Sequence, residues 1–215
     1  MEPDDAATKS PEEWIAGWER ICKVNPEECM KWETFRGKEN TAEVLGEKAI
    51  ALVALISSSL NYWPVSFISG LSGEGWGHIR CGEDEMLKVM TETAAFWLRV
   101  VEEDTFNLLP AATRDDFMDA VVAGVCWTIA EKCREKCREP ESFARLLLER
   151  YDVYGTYVQW LPGEGETPKG TLLWEFAKQV SNVVGIGGNA LFVVPLTALV
   201  GPHLIRCNVP GLLRG

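Results

Sequence analysis

The sequence predicts an all-α fold, a single-domain bundle of about six to eight helices with a buried central helix, on three observations. First, Ala112–Pro140 carries a complete helix pattern: Thr113 as N-cap candidate, Asp115 and Asp116 in the opening turn, and Phe117, Val121, Val125 and Ile129 four apart. Lys132, Arg134, Lys136 and Arg138 complement the dipole at its far end, and Pro140 stops it. Second, Ala49–Leu60 has no charged residue and is far too short to span a bilayer, which suits a core helix. Third, apolar residues recur at helical spacing through most of the remaining chain.

In chain order, residues 1–10 are acidic and polar and read as a disordered N-terminus, leaving 11–215 as one helical domain. Ser10-Pro11-Glu12-Glu13 opens a helix through Trp14, Trp18 and Ile21 that stops before Asn25-Pro26. A short helix from Glu27 to about Arg36 ends at Gly37. Asn40-Thr-Ala-Glu43 resembles a capping box and starts a helix that Pro64 should close near Tyr62. Ser66–Gly82 is a glycine-rich break. Met86, Met90, Trp97 and Val101 then mark a helix from Glu83 to about Asp104.

After the 113–138 helix, Pro140 opens another with Phe143, Leu147, Tyr151 and Tyr154 in register. The β-prone Val153–Val158 and the turn at Pro162–Pro168 leave a small hairpin near 152–175 as an alternative. Pro168 should open a helix to about Val184. From Val180 to Ile205 there is no charged residue, yet glycines and prolines interrupt the run, so two broken helices buried in the core are expected.

Composition narrows the function classes. Hydrophobic residues at 47% and charged residues at 25% are ordinary for a globular domain. A net charge of −11, with bases interleaved among acids as in Glu131–Glu139, argues against duplex DNA, RNA or an anionic membrane as partner. Seven cysteines cannot all pair within the chain, and Met-Glu-Pro-Asp-Asp lacks the basic and apolar regions of a secretion signal. A reducing, cytoplasmic setting is expected.

Several constellations could carry chemistry. Asp115-Asp116-Phe-Met-Asp119 resembles the aspartate-rich motif of all-α terpenoid synthases, which implies Mg²⁺ gripping a diphosphate through Asp115, Asp116 and Asp119. The competing explanation is that acids favour a helix start. Cys126, Cys133 and Cys137 share a helical stripe that could recruit Zn²⁺ or simply pack as small hydrophobes. His78 lies in a glycine-rich loop without a P-loop ending, and His203 sits in the apolar tail. No nucleophile, histidine and acid assemble into a triad, and no catalytic residue is assigned.

The nine tryptophans are spread like packing anchors, but Trp14 and Trp18 share one helix face that could meet a partner. Together with Leu191, Phe192, Leu196 and Leu199 of the tail, they form the candidate binding set. The function expected first is a cytoplasmic interaction protein without intrinsic catalysis or cofactor, contacting a protein partner or itself as a homo-oligomer. A metal-dependent all-α enzyme acting on a phosphate or diphosphate is the second expectation. Membrane attachment through residues 183–205 is the third.

Overall fold

The computed structural model describes residues 34–73, 82–132, 140–157, 159, 161, 163 and 167–214. These form seven helices: α1 (Ala42–Gly73), α2 (Glu83–Phe106), α3 (Ala111–Lys132), α4 (Pro140–Tyr154), α5 (Leu172–Val183), α6 (Ala190–Cys207) and α7 (Val209–Arg214). No strand occurs among the described residues, so the alternative hairpin near 152–175 does not form there. Val153 and Tyr154 end α4 instead, because Phe143, Leu147 and Tyr154 align on one buried helical stripe. Packing of that stripe overrides the β preference of the local sequence.

The centre of the bundle is α2, which packs against α1, α3, α4, α5 and α7. Every residue from Val89 to Leu98 is buried, including Trp97, Thr93 and Glu92. The Ala49–Leu60 run was the expected centre, but it is one-sided. Leu52, Ile56 and Leu60 are fully buried, whereas Ile50 is 72% exposed and Ala54 faces solvent. Absence of charge did not mean burial all round, since isolated apolar residues are common on protein surfaces.

Helix boundaries depart from expectation where proline and local capping compete with packing. Thr41 caps α1, its Oγ1 accepting from Val44 N at 3.3 Å, while Asn40 turns elsewhere. The helix then continues through Pro64 to Gly73. α3 begins at Ala111, with Arg114 N donating to Pro110 O at 2.8 Å. Thr113 is therefore inside the helix, and Asp115 and Asp116 sit beyond its first turn, where the dipole explanation no longer applies. α5 starts after Thr171, whose Oγ1 accepts from Trp174 N; Pro168 forms the preceding turn, accepting from Thr171 N.

In the tail, the break falls at glycine and not at proline. Gly185, Gly187 and Gly188 all have positive φ, and Gly188 N donates to Ser181 Oγ at 2.8 Å, closing the turn between α5 and α6. α6 then runs unbroken through Pro195, Gly201 and Pro202. Each internal proline costs about 3 kcal/mol or more. Burial of Phe192, Val193, Leu196, Val200 and Leu204, at roughly 1.5–3 kcal/mol each, is enough to outweigh both. Asn208, with φ of 44°, turns the chain into α7.

Candidate functional site

Two regions stand apart from ordinary core packing: a buried charged cluster at the meeting of α2, α4 and α5, and the outward face of α6.

The cluster is built on Glu92, which α2 carries into the interior at 5% exposure. Tyr154 of α4 donates from its hydroxyl to Glu92 Oε2 at 2.6 Å, and Arg150 Nε lies 2.6 Å from Glu92 Oε1 as an ion pair. Burial pushes the Glu92 carboxyl up from its ordinary range, against the opposing effects of Tyr154 and Arg150. Burial, reinforced by Glu92, pushes the Tyr154 phenol well above its usual value.

A second carboxylate, Glu175 of α5, lies nearby at 8% exposure. Burial would raise it, but Lys178 Nζ at 2.8 Å and Gln179 Nε2 at 2.6 Å donate to it and hold it below the ordinary carboxylate range. Arg150 and Lys178 thus balance Glu92 and Glu175 in charge. Tyr154 and Arg150 of α4 thus clamp Glu92 of α2, while Glu175 is held by Lys178 and Gln179 of its own helix.

On α6, Ala190, Leu191, Val194 and Ala198 fall on one arc of about 100° of the helix, and all four are exposed. Leu191 is 73% exposed and Val194 50%. Phe192 and Leu196 point the other way, into the core at 1% and 3% exposure. The side chain of Leu199 and the whole of Trp14 and Trp18 lie outside the described residues. The residues sequence reasoning missed are Val194 and Ala198. Their helical spacing from Leu191 was legible; which side of α6 faced outward was not.

The other candidates carry less. Asp115, Asp116 and Asp119 are all exposed, and Asp115 pairs with its neighbour Arg114 at 3.2 Å. Among the described residues, no group of three or more His, Cys, Asp or Glu is arranged to hold a metal ion. Cys126 is a buried free thiol that burial pushes up, which leaves it a weak nucleophile. Cys133, Cys137, His78 and the side chain of His203 lie outside the described residues. Among the described residues, no helix is long and apolar enough to cross a membrane.

No family model, curated protein or solved structure matches the chain.

Proposed function

We propose that this chain is a non-catalytic protein-interaction module whose binding element is the outward face of α6. The observation that carries this reading is the apolar stripe Leu191–Val194–Ala198, exposed on a helix without a charged residue from Ala190 to Ile205. A chain of net charge −11 has acidic residues available to solvate such a face, yet none stands there. The buried Glu92 cluster supports the same reading from the other side, because Glu92 is engaged by Tyr154 and Arg150 in holding α2 against α4. The buried thiol of Cys126, outside any disulfide, fits a reducing compartment.

The test is a photo-crosslinking residue at Val194 in the full chain, with the same residue at exposed Glu149 as control. A protein adduct formed from position 194 and not from position 149 is expected. Absence of any adduct at 194, in purified protein and in cell extract alike, would overturn the reading. Thermal melts with millimolar Mg²⁺ address the enzyme alternative. A Mg²⁺-dependent rise in Tm, lost on Asp115→Ala/Asp119→Ala, would move the function to phosphate chemistry.

A further inference from the structure

We infer that α7 is a clasp that opens as one unit about Asn208 while the rest of the bundle stays folded, with the carboxamide of Asn40 as its catch. The hinge is visible in the backbone. Asn208 lies in the left-handed region, with φ of 44° and ψ of 53°. Its N–H donates to Leu204 O and ends α6, while its backbone O and Oδ1 both accept from Gly211 N and start α7. One residue is the whole joint between the two helices.

The catch is at the other end. Asn40, just ahead of α1, donates from Nδ2 to Leu213 O at 2.9 Å across 173 positions of sequence. Its Oδ1 accepts from Lys48 Nζ at 2.7 Å. Lys48 is fully buried and can only donate, so it holds the carboxamide oxygen and turns the amide toward α7. Beside this tie, Arg214 lies near enough to Asp104 of α2 to offset part of that carboxyl's burial.

Size makes α7 separable. Six residues close too few internal hydrogen bonds to stand as a helix alone. Burial of Val209, Leu212 and Leu213 returns free energy of the same order as the entropy lost in fixing six residues. With those opposing effects near balance, one hydrogen bond at Leu213 shifts the closed population several-fold. Simple fraying of a chain end would loosen the last residues first. A clasp caught at Leu213 releases all of α7 together.

Native-state hydrogen exchange on the full chain, read residue by residue, tests this. The amides of Gly211, Leu212 and Leu213 should share one opening constant, insensitive to low denaturant and at least ~100-fold larger than that of the α2 core amides Val89–Leu98. Asn40→Ala should raise the shared constant roughly fivefold and leave α2 unchanged. Asn40→Asp keeps an oxygen for Lys48 but offers Leu213 O no donor, and should open α7 at least as far. Exchange that rises step by step from Gly211 to Leu213 would overturn the clasp, as would α7 amides that exchange only with global unfolding. A shared constant unmoved by either Asn40 variant would overturn the catch.

Discussion

The Tyr154 hydroxyl lies 2.6 Å from Glu92 Oε2, joining the end of α4 to the middle of α2 across 62 positions of sequence. Both residues are buried, and the bond is charge-assisted, so its loss should be felt in full. Tyr154→Phe keeps the ring packing and strips Glu92 of a donor. It should destabilise the fold by about 1.5–3 kcal/mol in chemical denaturation. In the Glu92→Gln background the same substitution should cost measurably less. Equal costs in both backgrounds would show that the two side chains are not coupled.

Asp104, near the end of α2, carries a pH dependence of definite sign. Burial, with Glu103 next to it, raises its pKa from 3.8 to about 6, only partly countered by Arg214. The folded state therefore binds this proton more tightly than the unfolded chain. The stabilisation is full below pH 3.8 and is lost as pH rises through about 6. Asp104→Asn should melt with the parent protein near pH 4 and above it at pH 8, by an amount on the order of 1–2 kcal/mol after allowance for its partial exposure. A variant less stable than the parent at pH 8 would reverse the assignment.

Gly124 marks a close approach of α3 to α1. A Cβ built there would lie 2.6 Å from Val53 Cγ2, and the branched valine has no flexible end with which to yield. Gly124→Ala would ordinarily stabilise a helix by up to about 1 kcal/mol. Here it should destabilise by roughly 1–3 kcal/mol through overpacking. Val53→Ala in the same chain should recover most of that loss. A Gly124→Ala protein that melts higher than the parent would show that α1 and α3 separate freely.

Leu191 and Phe192 are sequence neighbours with opposite expected phenotypes. Leu191→Asp changes an exposed position and should move stability by no more than about 0.5 kcal/mol. Phe192→Ala empties a core position and should cost roughly 3–5 kcal/mol. Denaturant titrations of the two variants check this directly. A large loss from Leu191→Asp would mean that the face is covered within the chain.

Much of this molecule was legible without coordinates. The helical class, the α2 and α4 spans and the core stripe Phe117–Val121–Val125–Ile129 follow from periodicity, because an amphipathic helix writes its buried side at every third or fourth position. Glycine at the α5–α6 turn was equally readable as a break. What sequence alone could not supply was the choice between competing local signals. Pro64, Pro195 and Pro202 each argued for a stop, yet α1 and α6 run through them, and on α6 the burial of Phe192, Val193, Leu196, Val200 and Leu204 carries the helix. Pro168 argued for a start, and Thr171 took the cap.

The candidate site divides along the same line. That α6 is apolar and uncharged is a property of its residues. That Leu191 and Val194 face outward while Phe192 and Leu196 face α5 and the core was decided by tertiary packing, since a helix apolar on every side has no intrinsic preference for which stripe it buries. The Glu92–Tyr154–Arg150 cluster belongs wholly to the tertiary structure. Its members are dispersed over two helices, and only the close approach of α4 to α2 turns three unremarkable polar residues into a buried network.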